Sequence, residues 1–340
     1  MILQSETVLD NLNMHHFLIS LIVLSVFLTP ARSQQPADSP ADSPDDVPFR
    51  ALVEEVSVPF IVTDNKNRLI TDLTLEDFQV TENGVKQTIK NLFRETDVPL
   101  RLGLLVDTSN SIRDRLEFEQ KASIDFFSSL LVRGRDKALL GSFDSMAELL
   151  QDFTDDLDKL NTAVGQLRAG GGTALYDAIY YATRDRMLVE APTSSNFRRA
   201  LVVLSDGEDN QSRFSRAQTM ENARRSEVII FSISTNIRGV KLPGDKVLQE
   251  FADETGGRYF QPATWEDLDD AFFSIATELR SQYALSFNPT TPRDGKYHEI
   301  EITMPKRKGL KLRARRGYFA TVPGATAVTS TSAPAGTSKP

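Results

Sequence analysis

The hydrophobic and polar positions of this chain follow two patterns, one towards its ends and one in its centre. Towards the ends, short segments alternate apolar and polar residues, which is the pattern of β-strands buried on one face. In the centre, nearly continuous apolar runs occur at residues 102–106, 138–143, 200–204 and 228–233. Runs of this kind are typical of parallel strands that are covered on both faces.

The central runs are separated by segments that carry apolar residues at helical spacing. Three such stripes are present: Ile112, Leu116, Ile124, Phe127 and Leu131; Leu175, Ala178, Ile179 and Ala182; and Trp265, Leu268, Phe272, Ile275, Ala276 and Leu279. Regular alternation of strands and helices predicts an α/β fold with a doubly wound, mostly parallel, Rossmann-like sheet. The ligand site of such a sheet lies beyond the carboxyl ends of its strands.

The segments on either side of the centre predict β-structure only. Before the centre, apolar residues alternate from Val56 to Val62, and Asn83-Gly84 supplies a tight turn between two further alternating segments. After the centre, three segments alternate: Tyr283, Leu285 and Phe287; His298, Ile300, Ile302 and Met304; and Leu310, Leu312 and Ala314. Because neither flank alone offers a two-faced core, we expect the flanks to pair into one small β-sandwich that the central domain interrupts.

The two ends of the chain differ in composition from its body. Residues 17–28 form an apolar run that is short for a membrane span, and small residues follow at 29–33, which is typical of a secretory signal peptide. The stretch before this run lacks Lys and Arg, so Met14 is an alternative start and an uncleaved membrane anchor is the alternative interpretation. Either interpretation predicts an exported body, which is periplasmic, secreted or located at the cell surface.

These observations predict six segments. They are a signal peptide at 1–33, a disordered linker rich in Pro, Ser and Asp at 34–49, a β-rich flank at 50–97, the central domain at 98–281, a second β-rich flank at 282–320 and a disordered tail at 321–340.

Composition narrows the classes of function. The net charge of -8 gives an acidic surface, so nucleic acid is not expected as a partner. The chain has no cysteine, which excludes disulfides, thiolate metal sites and a cysteine nucleophile. Outside the predicted signal peptide the sequence contains one histidine, His298, so we expect no histidine-based catalysis and no enzyme.

Oxygen-bearing side chains follow the predicted strand ends. Asp107, Ser109 and Ser111 come directly after the first central run, Thr173 follows three glycines and opens a helix, and Asp206 follows the third run. Hard oxygen ligands with few carboxylates suit Mg²⁺, with Mn²⁺ as a substitute, better than they suit zinc. The sequence therefore predicts one cation site on these five residues.

This pattern, D-x-S-x-S with a distant Thr and a distant Asp, resembles the metal-ion-dependent adhesion site of the von Willebrand factor A and integrin I-domain family. The resemblance covers about residues 99–280, and the flanks are similar to those of bacterial exported proteins that carry this domain. It implies that Ser109, Ser111 and Thr173 ligate the metal, directly or by switching, and that Asp107 and Asp206 act largely through bound water.

The same resemblance implies a function. One coordination position of the metal stays open for an Asp or Glu side chain of a partner protein, so the expected activity is adhesion-type protein binding. It further implies that the helix covering residues 265–279, which leads into the second flank, shifts when the metal's shell changes.

Other interpretations stay open at this point. A hydrolase would use the metal to activate water, although no general base is evident, and a cell-envelope assembly scaffold would use it only to stabilise the fold. The glycines before Thr173 lack the following Lys of a phosphate-binding loop. We interpret Asp114, Glu117 and Glu119 as a solvated helix face, His298 as structural, and the basic residues of 306–316 as an exposed strand face. Membrane contact is expected only through an uncleaved N-terminal anchor.

Overall fold

The computed structural model describes residues 55–113, 115–190, 196–237 and 239–320. The predicted signal peptide at 1–33, the linker at 34–49 and the tail at 321–340 lie outside these residues. The described residues fall within one compact unit, Leu52–Pro340. None of the helices within the described ranges has the length and apolar character needed to cross a membrane.

The strands and helices follow the alternation read from the sequence. In chain order the strands are β1 Val56–Thr63, β2 Gln79–Glu82, β3 Val85–Gln87, β4 Ile89–Arg94, β5 Leu100–Asp107, β6 Lys137–Phe143, β7 Ala147–Thr154, β8 Arg198–Ser205, β9 Ile229–Ser234, β10 Tyr259–Phe260, β11 Tyr283–Phe287, β12 Tyr297–Thr303, β13 Lys311–Ala314 and β14 Gly317–Phe319. The helices are α1 Leu116–Leu130, α2 Leu157–Val164, α3 Leu175–Tyr181, α4 Leu188–Glu190, α5 Arg216–Ser226, α6 Pro243–Thr255 and α7 Asp267–Arg280. Short 3₁₀ turns at Leu75–Asp77 and Asn110–Ile112 and a π-helical turn at Ala182–Met187 complete the set.

The central strands form one six-stranded sheet of order β10-β9-β8-β5-β6-β7. Its pairs are parallel except for β6 with β7, which are antiparallel. Every residue of β5 and β8 is buried, as expected for strands covered on both faces. The predicted α/β fold with a mostly parallel sheet is therefore confirmed, with β7 as an edge strand that the sequence analysis did not predict.

Helices cover both faces of this sheet. On one face α1, α2 and α7 pack against side chains that include Leu102, Leu104 and Val106 of β5. On the other face α3, α5 and α6 pack against Leu105 and its neighbours. Alternate residues of one strand thus enter different cores, which is the consequence of a period of two in a strand covered on both sides.

The flanking segments form two four-stranded antiparallel sheets, of order β13-β1-β11-β4 and β14-β12-β2-β3. The two sheets share one apolar core, to which Phe60, Phe78, Val80 and Leu285 contribute. Strands from both flanks occur in each sheet, so the predicted sandwich built from the two flanks is confirmed. The turn between β2 and β3 has positive φ at Asn83 (48°) and Gly84 (79°), as the Asn-Gly pair predicts.

The chain enters and leaves the central domain at neighbouring positions. β4 precedes β5, α7 precedes β11, and β4 and β11 pair with Arg94 opposite Tyr283. An insertion with adjacent ends leaves the host sheet unbroken, since the two strands that carry the insertion stay hydrogen-bonded to each other.

Ion pairs join the sandwich to the central domain. Arg313, Arg315 and Arg316 pair with Glu278 (2.8 Å), Glu227 (2.5 Å) and Glu254 (2.8 Å), respectively. The side chain of Arg315 is only 10% exposed. The interpretation of this basic segment as an exposed face was therefore wrong for Arg313 and Arg315, which are half-buried against carboxylates of the central domain. Arg316 is exposed as predicted, with 59% of its side chain accessible, although it also pairs with the central domain.

Candidate metal centre

The loop after β5 places the first predicted ligands at the carboxyl edge of the sheet. Asp107, the last residue of β5, is fully buried, and Ser109 is 5% exposed. The Ser109 amide donates to Asp107 Oδ1 (2.9 Å), and the Ser205 hydroxyl donates to Asp107 Oδ2 (2.6 Å). Because Ser205 ends β8, this second bond joins the first and third predicted ligand loops directly.

Hydrogen bonds also join the glycine loop before Thr173 to its two neighbours. The Gly170 amide donates to the Thr108 carbonyl (2.7 Å), which links the loop to the β5 loop. The Thr173 amide donates to Asn210 Oδ1 (3.0 Å), and the Asn210 amide donates to the Thr173 carbonyl (2.9 Å). Thr173 is 5% exposed, so it lies in a shielded position between the loops that carry Asp107 and Asp206.

The third loop is held by close backbone packing. Gly207 follows Asp206 with φ +80°, and a Cβ at Gly244 would overlap the Asp206 carbonyl and lie 2.7 Å from the Gly207 carbonyl carbon. Gly244 belongs to the first turn of α6, where the buried Asp245 carboxylate accepts hydrogen bonds from Ser234, Asn236, Leu242 and Tyr259. The fixed start of α6 therefore sets the position of Asp206.

The electrostatics of the site favour a cation. Burial raises the pKa of Asp107 to about 6, although hydrogen bonds from Ser205 and Ser109 lower it, and the charge of Asp206 raises it further. Two carboxylates that repel each other at a partly dehydrated site are stabilised by a positive charge between them. In the part of the chain that the structure describes, no three His, Cys, Asp or Glu side chains gather into a metal-binding group.

The predicted donor set at this edge consists of two carboxylates with serine and threonine hydroxyls. All of these donors are oxygens, so the residues present fit a hard divalent cation such as Mg²⁺ better than a soft one. Asp206 is half-buried, and one of its oxygens accepts from the Glu208 amide at 3.1 Å, which orients the carboxylate.

Residues 102–208 match the family model of the von Willebrand factor type A domain. This part of the chain is a von Willebrand factor type A domain. The matched range begins in β5 and ends just after Asp206, so it contains all five predicted ligands. The predicted family is thereby confirmed for the centre of the chain. No curated protein matches the chain.

Several solved structures resemble the chain. An aerotolerance-related membrane protein from Bacteroides fragilis has 19% identity and a TM-score of 0.42, over 52% of this chain and 98% of that one. The vWF domain of the type V pili tip protein Mfa5 from Porphyromonas gingivalis has 16% identity and a TM-score of 0.46, over 54% and 95% of the two chains. Proximal thread matrix protein 1 from the mussel byssus, solved with a zinc-occupied MIDAS motif, has 13% identity and a TM-score of 0.48, over 59% of this chain and 50% of that one.

The structure brings the loops of Asp107, Ser109, Thr173 and Asp206 together at one edge of the type A domain. The Asp107 and Asp206 loops follow strand ends as predicted, whereas the Thr173 loop joins α2 to α3. Ser111 lies in the 3₁₀ turn Asn110–Ile112, and its side chain lies outside the described part of the structure. The role of these five residues as metal ligands stays a prediction.

Sequence reasoning missed the residues that support the ligands. Ser205 and Asn210 bind Asp107 and Thr173, and only their places next to a predicted ligand loop could have indicated them. Glu119 was interpreted as solvated, and this was wrong, since it is 0% exposed in α1. Glu117 is exposed as predicted, and Asp114 lies outside the described residues.

His298 lies in the sandwich, in β12, and not in the type A domain. Its ring nitrogens contact Glu82 Oε1 (2.9 Å) and Asp294 Oδ1 (3.1 Å), and the hydroxyl of Thr291 lies 2.8 Å from Nδ1. Hydrogen bonds to the two carboxylates raise the pKa of His298, although burial alone would lower it. These contacts agree with the interpretation of His298 as structural.

Proposed function

We propose that this protein is an exported binding module that holds Mg²⁺ through Asp107, Ser109, Ser111, Thr173 and Asp206. The ion, with Mn²⁺ as a substitute, then binds an Asp or Glu side chain of a partner protein. The observation that carries the proposal is the junction of three ligand loops around a buried Asp107, through hydrogen bonds from Ser205 and between Gly170 and Thr108.

Each ligand has a distinct part in this proposal. The hydroxyls of Ser109, Ser111 and Thr173 would hold the ion, directly or by switching, and Asp107 and Asp206 would act on it largely through bound water, as the family resemblance implies. Because only two carboxylates neutralise the ion, it keeps an attraction for a further anionic oxygen. When bound, the ion supplies the open coordination position that a partner's carboxylate completes.

The rim of the site suits a protein as the partner. Met146 is 75% exposed in the β6–β7 hairpin, and the neighbouring Ser145 hydroxyl accepts from the Gly172 amide at 2.9 Å. An exposed methionine therefore lies beside the Thr173 loop. Methionine is enriched in protein interfaces, where its flexible side chain adapts to a partner's surface. Export is proposed from the apolar run at residues 17–28.

Titration calorimetry of Mg²⁺ and Mn²⁺ into the purified protein tests the cation site. We expect saturable binding that is lost in Asp107→Ala and Thr173→Ala and kept in Thr162→Ala, a matched change at an exposed threonine of α2. Absence of binding to the wild type would end the proposal.

Selection from a displayed peptide library in Mg²⁺, with elution by chelator, tests the partner class. Selected peptides should share an acidic residue, and its Asp→Asn or Glu→Gln exchange should abolish binding. Cation binding that only raises the melting temperature, with no chelator-sensitive peptides, would favour the assembly scaffold. Turnover of a hydrolysable substrate lost in Ser109→Ala would favour the hydrolase.

A further inference from the structure

A buried carboxylate without a hydrogen-bond partner lies close enough to the proposed cation site for the charge of Asp107 to act on it. Glu119 is in the first turn of α1, the helix that begins shortly after the Asp107 loop, and is 0% exposed. Neither of its carboxylate oxygens has a hydrogen-bond partner among the described residues. A buried, unpaired carboxylate is costly unless another charge compensates it.

The side chains around Glu119 compensate its burial only in part. The guanidinium of Arg115 acts on Glu119 only through its charge, because it donates to the Thr235 carbonyl (2.9 Å) and lies over the Trp265 ring at 4.6 Å. The charge of Asp107 repels that of Glu119. Burial first, and this repulsion second, hold the pKa of Glu119 well above its usual range.

An apolar residue would fit this position without any such cost. The residues of α1 on the same face as Glu119 are Ala122, Ser123, Phe126 and Phe127, all buried against the sheet. A carboxylate on this buried face of α1 is favourable only where a positive charge is bound nearby. Besides Arg115, a cation at Asp107 would supply such a charge, since Asp107 is close enough for its own charge to act on Glu119.

We propose that Glu119 is a third acidic group of the cation site, which does not ligate the ion but strengthens its binding through the charge of a buried carboxylate. This inference rests on the proposed function, since it requires a cation at Asp107. Glu119 would then act as a positioning residue. The bound cation offsets the free-energy cost of burying the Glu119 carboxylate, and the charge of this carboxylate in turn raises the affinity of the site for the cation.

The test compares Glu119→Gln with Glu117→Gln, which removes the same charge from an exposed position of the same helical turn. Calorimetry with Mg²⁺ and with Mn²⁺ should show roughly ten- to a hundredfold weaker binding for Glu119→Gln, the range found for residues that support metal ligands. Glu117→Gln should bind as the wild type does. Equal affinity of wild type and Glu119→Gln would overturn the inference.

Melting in the presence of chelator separates this role from a packing role. Without a cation the buried carboxyl group of Glu119 destabilises the fold, so Glu119→Gln should melt at the same temperature as the wild type or higher. A lower melting temperature in chelator would show that Glu119 supports the fold itself, and would overturn the inference. If the wild type binds neither metal, the proposed function fails; if the wild type binds and Glu119→Gln binds equally, only this inference fails.

Discussion

The packing of Gly244 against the Asp206 loop makes Gly244→Ala a sharp test of how the type A domain positions Asp206, the predicted ligand on the third loop. A Cβ at residue 244 would overlap the Asp206 carbonyl and lie 2.7 Å from the Gly207 carbonyl carbon and 2.9 Å from the Glu208 amide, whereas real Cβ atoms keep at least 3.0 Å. All three contacts are backbone atoms, so no side chain can rotate away.

The strain has to be relieved by moving either α6 or the Asp206 loop. Asp245 fixes the start of α6 through bonds of 2.6 Å to Ser234 and 2.8 Å to Asn236, among others. The loop therefore moves. Overpacking of this kind costs about 1–3 kcal/mol. In a domain of this size that lowers the melting temperature by roughly 2–4 °C for each kcal/mol.

The same displacement should weaken cation binding. If about 1.4 kcal/mol of the strain has to be overcome to restore Asp206 to its place, the dissociation constant rises about tenfold. Calorimetry and thermal melts of Gly244→Ala measure both effects. Gly170→Ala is the control, since a Cβ there meets nothing within 4 Å although the residue lies in a ligand loop. Wild-type cation affinity in Gly244→Ala would refute the link between α6 and Asp206.

Three further predictions concern stability. Burial raises the pKa of Glu95 from 4.5 to about 7, so the folded state binds a proton that the unfolded state has released. The stability of the wild type therefore falls as the pH rises through this window. Urea titrations should show Glu95→Gln more stable than the wild type by roughly 3 kcal/mol at pH 8 and little changed near pH 4.5. Glu278 is 4% exposed and lies 2.8 Å from two arginines, so Glu278→Ala should lower the free energy of unfolding by about 3–5 kcal/mol. Glu221 is exposed, so Glu221→Ala should lower it by less than about 0.5 kcal/mol. Equal losses of stability in the two variants would contradict the assignment of a buried ion pair to Glu278. Mg²⁺ at a hundred times its dissociation constant should stabilise the wild type by about 2.7 kcal/mol and leave Asp107→Ala unchanged.

The parts of the fold that could be predicted from the sequence are those in which burial acts on every residue of a continuous segment. β5 and β8 are covered on both faces, so their apolar runs are unbroken and easy to recognise. β7 is an edge strand with only half-buried or exposed residues, so its polar composition hides it. The Asp107 and Asp206 loops were predicted because they follow recognisable strands directly, and the Thr173 loop because three glycines precede it.

The error at Glu119 has a similar origin. Helical spacing places Glu119 in register with Ala122, Ser123 and Phe126, which form the buried face of α1. The apolar stripe predicted from the sequence included Leu116 and Ile124 instead, because glutamate side chains are rarely buried on the apolar face of a helix. The fit of Gly244 against Gly207 could not be predicted, since it depends on the approach of two loops that are distant in the sequence.

The junction with the sandwich limits how the type A domain can respond to a bound cation. α7 ends at Arg280, only a short step before β11, and β11 pairs on both sides, with β1 and with β4. Glu278 of α7 also pairs with Arg313 of β13 at 2.8 Å. A shift of α7, which the family resemblance implies, would therefore either break this ion pair or move the sheet that contains β11 and β13. Because breaking the pair is costly, we predict that the sheet moves and that the sandwich takes part in the response to the cation.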